Sequence, residues 1–169
     1  MVNTFTLKHL NDRGTTSDIY LLRGNGNEEY VGKVLKTNNF FQSDLTLRSL
    51  EKEFEFAKDL FENNVVVPMP VGISKISISK FFPFKFNAYL SKYISGIDFW
   101  DFYSGKHLEF FERASYFASL ELEKAKELGY VPVDYVLNAL YSIEEDKSYL
   151  FDFADWKYFG KNEKLKKFN

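Results

Sequence analysis

The sequence predicts a mixed α+β fold, with a strand-rich first part followed by a helix-led second part. Five segments of strand length and one amphipathic helix precede Ser95-Gly96, and a long amphipathic helix follows it. Hydrophobic residues make up 45% and aromatic residues 19% of the 169-residue chain, so both parts can bury a core. We therefore expect residues 1–95 to form a five-stranded antiparallel sheet with one helix. Residues 96–169 should form a smaller, mainly helical part.

The first three strands are predicted from alternation and turn residues. Residues 4–10 alternate between apolar and polar side chains, and a polar turn cluster follows at 11–17. Residues 18–23 and 29–35 form the next two strands, joined by the turn Gly24-Asn25-Gly26-Asn27. Short turns between successive strands predict an antiparallel meander.

A helix is predicted at residues 47–63, where Leu50, Phe54, Ala57 and Phe61 recur at helical spacing. Two more strands should follow. One lies within 65–79, after an entry loop that contains two prolines, and the other spans 87–94.

In the second part, residues 99–105 are predicted to be irregular or a short helix. The longest helix is predicted at 107–128, with Gly129 as its C-terminal cap. Its predicted apolar stripe is Phe111, Ala114, Ala118, Leu122 and Ala125. An irregular loop comes next. Short strands at 139–141 and 148–151 then flank an acidic turn.

Composition excludes several functional classes. There are no cysteines, so disulfides and zinc-thiolate sites are ruled out and an oxidising compartment is not indicated. The net charge of −2 offers no general attraction for nucleic acid. No apolar run is long enough to cross a bilayer, and no secretory signal is visible. We therefore expect a cytoplasmic protein with no transmembrane segment and no nucleic-acid partner.

Residues able to bind phosphate and metal recur along this order of elements. One lysine lies in an apolar strand, an acidic helix follows it, and carboxylate and amide side chains come after the long helix. Each has a simple explanation when taken alone: a lysine at the water-facing end of a strand, a solvated acidic helix face, or an aspartate that caps a turn. The residues concerned are Lys33, Glu51, Glu53, Glu55, Asp134, Asn138 and Asp152.

Taken together, this order of elements resembles the protein-kinase-like fold, which includes atypical, lipopolysaccharide and RIO-type kinases. The run Val31-Gly32-Lys33-Val34 is similar to the Val-Ala-Ile-Lys strand of kinases. The run Phe151-Asp152-Phe153-Ala154 is similar to the end of a strand that delivers Asp-Phe-Gly. The resemblance implies a two-lobed fold, with an N-lobe at residues 1–95 and a reduced C-lobe at 96–169.

The resemblance implies roles for residues of the first part. Lys33 would hold the α- and β-phosphates of ATP, and Glu53 would be the ion partner of Lys33, with Glu51 and Glu55 as neighbouring candidates. The glycine turn keeps one glycine of three. The phosphate turn and the adenine slot would be formed by Gly14, Ser17, Ile19, Val31 and the region of Leu90, with backbone bonds to the base from linker residues 91–94.

In the second part, Gly129 to Asp134 resembles the Gly-Ile-Val-His-Arg-Asp run of kinases, and Asn138-Ala139-Leu140-Tyr141 resembles Asn-Ile-Leu-Leu. The resemblance implies that Asp134 orients or deprotonates the attacking hydroxyl. It also implies that Asn138 and Asp152 ligate Mg²⁺, with Asp155 as a second acid. Pro132 and Val133 stand where kinases have His and Arg, and the Asp-to-Asn spacing is four residues rather than five.

These motifs predict an atypical ATP-dependent phosphotransferase with ATP and Mg²⁺ as cofactors. Its acceptor would be a small-molecule, sugar, lipopolysaccharide or specific protein hydroxyl. Because only seventeen residues follow Asp152, conventional kinase activity on folded proteins is not expected. Two alternatives remain. One is a pseudokinase that acts as a nucleotide- or protein-binding regulatory module, and the other is an unrelated α+β domain whose motifs match by chance.

Overall fold

The computed structural model describes six stretches of the chain. The sequence-predicted residues Gly14 and Asp134 lie outside them. The structure divides into two units, of which the first comprises Met1–Phe56 and Met69–Tyr93 and the second comprises Ala57–Pro68 and Ile94–Asn169. The sequence placed residues 57–68 in the first part, whereas the structure groups them with the second. The described stretches are residues 5–11, 17–24, 26–36, 44–78, 85–133 and 137–160.

The first unit contains a five-stranded antiparallel sheet, as predicted. Its strand order is β1-β2-β3-β5-β4, so the third strand is central. The strand β4 begins at a proline and lies at the sheet edge, where a residue without a backbone N–H costs no ladder bond. The strands are β1 (Phe5–Asn11), β2 (Ser17–Arg23), β3 (Glu29–Leu35), β4 (Pro70–Ile76) and β5 (Phe86–Lys92).

A hydrophobic cluster lies on one face of this sheet. Gly32 of β3 is directed at the cluster, because a Cβ atom built on it would lie 2.8 Å from Cδ1 of Leu22. The missing side chain therefore leaves room for Leu22, which is fully buried. The buried members of the cluster are Leu22, Tyr30, Val34, Ile76, Ala88 and Leu90.

Helix α1 (Asp44–Glu62) has 19 residues and begins three residues earlier than predicted. Its buried stripe is Leu50, Glu53, Ala57 and Leu60. The predicted stripe was wrong in part, because Phe54 is only half-buried and Phe61 is exposed. The buried face of the helix therefore consists of leucine and alanine together with one carboxylate, whereas its phenylalanines are half-buried or exposed.

The second unit contains helices α2 (Phe99–Tyr103) and α3 (Phe111–Glu127), with a 3₁₀ turn at Leu108–Phe110. The prediction that residues 107–128 form the longest helix was wrong, because α3 has 17 residues and α1 has 19. The strands form one sheet of order β6-β8-β9 and a two-stranded pair, β7 with β10. They are β6 (Ile97–Asp98), β7 (Tyr130–Val131), β8 (Ala139–Ser142), β9 (Lys147–Leu150) and β10 (Lys157–Tyr158).

Helix α3 packs against β9 through small residues. Ala114, Ala118 and Ala125 are fully buried, and the Ser148 hydroxyl donates a 2.7 Å hydrogen bond to the Ala114 carbonyl. Alanines on this face let the helix backbone approach the strand closely. Among the described residues, no helix combines the length and apolar character that a membrane crossing requires.

Candidate functional site

Lys33 is buried in the middle of the first sheet. It lies on β3 between Ile19 of β2 and Tyr89 of β5, and only 6% of its surface is exposed. The explanation of a lysine at the water-facing end of a strand is therefore wrong. A buried ammonium group needs a partner, because removing an isolated charge from water is costly.

Glu53 of α1 is that partner. Its two carboxylate oxygens lie 2.9 Å and 3.0 Å from Nζ of Lys33, and its side chain is 2% exposed. Glu51 and Glu55, the neighbouring candidates, are both exposed. Residues two positions apart lie on different faces of a helix, so a helix that points Glu53 at the sheet directs Glu51 and Glu55 away from it.

Tyr89 lies next to this ion pair. It is the direct cross-strand neighbour of Lys33, and its ring centroid lies 6.3 Å from that of Phe54, the residue after Glu53. Burial, followed by the negative charge of Glu53, raises the pKa of the Tyr89 phenol above its ordinary value. The phenol is therefore neutral and places no second negative charge beside Lys33 and Glu53.

The predicted nucleotide-binding residues of the first unit share one face of the sheet. Ile19 pairs with Lys33 and Ser17 pairs with Leu35, while Val31 precedes Lys33 by two positions. Residues two positions apart, and directly paired residues, point to the same side of a sheet. The structure therefore brings Ser17, Ile19, Val31 and Lys33 to one surface.

The region of Leu90 on the fifth strand was predicted to contribute to the adenine slot, but the Leu90 side chain itself lies away from Lys33. It pairs with Gly32 and belongs to the hydrophobic cluster on the opposite face. Ser91, the next residue, pairs with Val31 and is therefore on the same side as Lys33. Because successive residues of a strand point to opposite faces, Tyr89 and Ser91 are the members of this region on the side of Lys33.

The predicted linker at residues 91–94 is partly strand. Ser91 and Lys92 belong to β5. The Lys92 N–H donates to the Met69 carbonyl at 2.9 Å, and the Tyr93 N–H donates to the Glu29 carbonyl at 3.1 Å. These two amides are therefore used inside the first unit rather than for a bound base.

In the second unit, Asn138 and Asp152 lie at the ends of two paired strands. Ala139 pairs with Leu150, and the Phe151 N–H donates a 3.1 Å hydrogen bond to the Asn138 carbonyl. Asp152 then adopts a left-handed backbone with φ 61°. This region is uncommon for residues other than glycine, and aspartate is one of the few that adopt it readily.

The paired strands β7 and β10 lie at the outer ends of the two connections that contain Asn138 and Asp152. Val131 pairs with Lys157, Tyr130 pairs with Tyr158, and the two tyrosine ring centroids lie 4.8 Å apart. Sequence reasoning missed this pairing, because two-residue strands give no periodic signal. As a result, each of these connections runs between two paired strands. Residues 132–138 join β7 to β8, and residues 151–156 join β9 to β10.

Gly129 and Tyr130 lie where the chain enters the strand β7. Gly129 has φ 96°, and a Cβ atom there would lie 2.7 Å from the Gly160 carbonyl oxygen. The Tyr130 hydroxyl donates a 2.5 Å hydrogen bond to Asp59 of α1, and burial together with this bond raises the pKa of the Tyr130 phenol. The strand β7, which precedes the connection that contains Asp134, is thus hydrogen-bonded to α1.

Asn138 and Asp152 offer an amide oxygen and a carboxylate, which are the hard ligands that Mg²⁺ takes. The described residues contain no group of three or more His, Asp or Glu side chains arranged for a metal. Two protein ligands fit Mg²⁺ well, because this ion keeps several waters and is completed by phosphate oxygens. The donor set is therefore suited to a metal that arrives with a phosphate ligand.

Comparison with known proteins identifies the fold. No protein-family model matches the chain, and no curated protein sequence matches it. Among solved structures, the kinase PK-1 of the Cydia pomonella granulovirus matches with a TM-score of 0.58 and 18% sequence identity. The match covers 92% of this chain and 52% of that one, so the chain spans about half the length of the viral kinase. The chain therefore has a kinase-like α+β fold.

Proposed function

We propose that this chain is an ATP-dependent phosphotransferase of atypical kinase type. The observation that carries the proposal is the buried ion pair between Lys33 and Glu53. This pair lies on the same sheet face as Ile19 and Val31. The absence of cysteine fits a reducing compartment, and we place the protein in the cytoplasm.

Stability alone does not account for this pair. Burying two charges costs free energy, and replacing a buried pair by apolar residues is often neutral or stabilising. A lysine whose ammonium is held in place by a carboxylate is, however, suited to receive phosphate oxygens. Lys33 would therefore bind the α- and β-phosphates of ATP, with Glu53 keeping its position between turnovers.

The other roles follow from the chemistry of the side chains. Ile19 and Val31 would contact the adenine base, and the turn containing Gly14 and Ser17 would offer amides to the phosphates. Asn138 and Asp152 would hold Mg²⁺, which neutralises phosphate charge when it is bound. Asp134 would orient the acceptor hydroxyl and accept its proton.

The acceptor is proposed as a hydroxyl of a small molecule, a sugar or lipopolysaccharide, or a specific protein. Catalysis would come mainly from positioning and charge neutralisation, because phosphoryl transfer requires little covalent chemistry from the protein.

A second candidate is a pseudokinase that binds a nucleotide or a protein without turnover. Pro132 and Val133 favour it, because they stand where kinases carry His and Arg. Val133 is also 49% exposed. Neither side chain can donate a hydrogen bond to the connection that contains Asp134. Turnover distinguishes the two candidates, whereas nucleotide binding alone does not.

The test measures nucleotide binding first and turnover second. We expect millimolar Mg·ATP to raise the melting temperature of the wild-type chain, and Lys33→Ala to abolish that shift. Lys36→Ala is the matched control, because Lys36 lies on the surface just past β3 and should bind as wild type does. ATP turnover that is lost in Asp152→Ala supports the enzyme. Binding without turnover supports the pseudokinase, and no thermal shift would contradict the enzyme and leave only a pseudokinase that binds a protein.

A further inference from the structure

A buried carboxylate outside the proposed nucleotide-binding residues lies on α3. Glu121 is 7% exposed and occupies the same helix face as Ala118 and Ala125. Sequence reasoning placed Leu122 on this face, but Leu122 is only half-buried. An apolar residue would be the ordinary choice against β9, so the carboxylate needs an explanation.

The contacts of Glu121 supply that explanation. One of its carboxylate oxygens accepts a 2.8 Å hydrogen bond from the Val66 N–H, and the other accepts a 2.6 Å bond from Nζ of Lys124. The Val66 carbonyl in turn accepts a 3.0 Å bond from the Leu150 N–H. Helix α3, the connection after α1 and strand β9 are thus joined through one residue, Val66.

This chain of bonds ends next to Asp152. The Leu150 N–H is held by Val66, and the following N–H, of Phe151, is held by Asn138. The two amides that immediately precede Asp152 therefore donate to carbonyls of two different segments of the chain. Asp152 itself adopts a left-handed backbone. Such a conformation persists only when its surroundings hold it.

We propose that Glu121 is a positioning residue for Asp152, acting through Val66 and Leu150. The proposal rests on the proposed function in assigning Asp152 to Mg²⁺. A carboxylate suits this role because charge-assisted hydrogen bonds are stronger than neutral ones, and Lys124 offsets the cost of burying the charge. An apolar side chain at position 121 would leave the Val66 N–H without an acceptor.

The first measurement needs no nucleotide. In the Glu121→Met variant, which keeps side-chain volume but removes the acceptor, we expect the Leu150 amide proton to exchange with solvent at least about tenfold faster. Glu121→Gln retains an acceptor oxygen and should restore slow exchange. The matched control is Glu123→Met, because Glu123 is exposed and has a similar ion pair with Lys126.

The second measurement asks whether the effect reaches the metal ligand. In Glu121→Met, the Mg²⁺ concentration for half-maximal Mg·ATP binding should rise about fivefold or more, while ATP binding in EDTA stays unchanged. Glu121→Gln should bind Mg²⁺ as wild type does. A variant that is merely less stable would lose both kinds of binding together.

Unchanged Leu150 exchange in Glu121→Met would overturn the proposal, as would faster exchange with an unchanged Mg²⁺ requirement. If Glu121→Met does not fold, amide exchange in the wild-type chain still tests the proposal. Rapid exchange of the Val66 and Leu150 amides would rule out these bonds. A wild-type chain that binds no Mg·ATP would overturn the proposed function. Slow Leu150 exchange that depends on Glu121 would still establish the bonds through Val66.

Discussion

The ammonium nitrogen of Lys33 lies 2.9 Å from a carboxylate oxygen of Glu53, and both side chains are almost completely removed from solvent. The two residues are 20 positions apart and come from a central strand and a helix. Each charge depends on the other, because neither has bulk water to solvate it. The pair therefore sets how the first unit responds to substitution.

Removing one member of this pair should be more harmful than removing both. We expect Glu53→Leu to lower the free energy of unfolding by about 3–5 kcal/mol, because it leaves Lys33 as a buried charge. The double variant Lys33→Met/Glu53→Leu should recover most of that loss, although it should no longer bind ATP. Urea unfolding measures the stabilities.

Glu29→Gln is the control for this comparison. It removes the charge of Glu29 from its half-buried pair with Arg23, where the nitrogen–oxygen distance is 3.3 Å, and should cost no more than about 1 kcal/mol. A double variant as unstable as Glu53→Leu would contradict the prediction.

Asp152 should lower the stability of the chain through its backbone conformation while its carboxylate binds Mg²⁺. Because its φ is 61°, Asp152→Gly should relieve backbone strain and stabilise the chain by up to about 1 kcal/mol. The same change should abolish Mg²⁺-dependent nucleotide binding, since the carboxylate is lost. Asn64→Gly is the matched control, because Asn64 has φ 63° in an exposed turn and should leave binding unchanged. Undiminished Mg²⁺-dependent binding in Asp152→Gly would refute this assignment.

Gly96 should tolerate no side chain. A Cβ atom there would lie 2.2 Å from Cδ2 of Leu140 and 2.5 Å from the backbone oxygen of Tyr141. We expect Gly96→Ala to lower the free energy of unfolding by about 3 kcal/mol, because the strand backbone cannot move away as a side chain can. Gly32→Ala meets only side-chain atoms, of Leu22 and Ile76, and should cost about 1 kcal/mol. Equal midpoints in urea for the two variants would count against this explanation.

Asp146 should make the second unit sensitive to acid. Hydrogen bonds from Arg113, then from the Tyr141 hydroxyl, hold the pKa of Asp146 below its ordinary value of 3.8. Because the pKa is lower in the folded state than in the unfolded state, the stabilising effect is complete above the unfolded pKa. It disappears as the pH falls through the folded pKa.

The measurement for Asp146 compares wild type with Asp146→Asn across pH. The difference in free energy of unfolding should be constant above about pH 5 and should narrow below about pH 4. Arg113→Met removes the main cause of the shift and should flatten the acid dependence in the same way. A difference that stays constant down to about pH 2 would contradict the assigned direction.

The sequence by itself determined the plan of the first unit. The strand Glu29–Leu35 has the predicted bounds, and the order of elements along the chain correctly predicted both the five-stranded antiparallel sheet and the kinase-like fold. Alternation and turn residues such as Gly26 are local properties of the chain, so they can be recognised without tertiary contacts.

Tertiary structure decided which side chains meet. It brought Glu53, rather than Glu51 or Glu55, to Lys33. It also placed Leu90 on the sheet face opposite Lys33 and paired β7 with β10. It also buried Glu121 on the inward face of α3, where Leu122 was expected. The physical reason is that strand register and burial depend on contacts between residues far apart in sequence, whereas periodicity reports only neighbours.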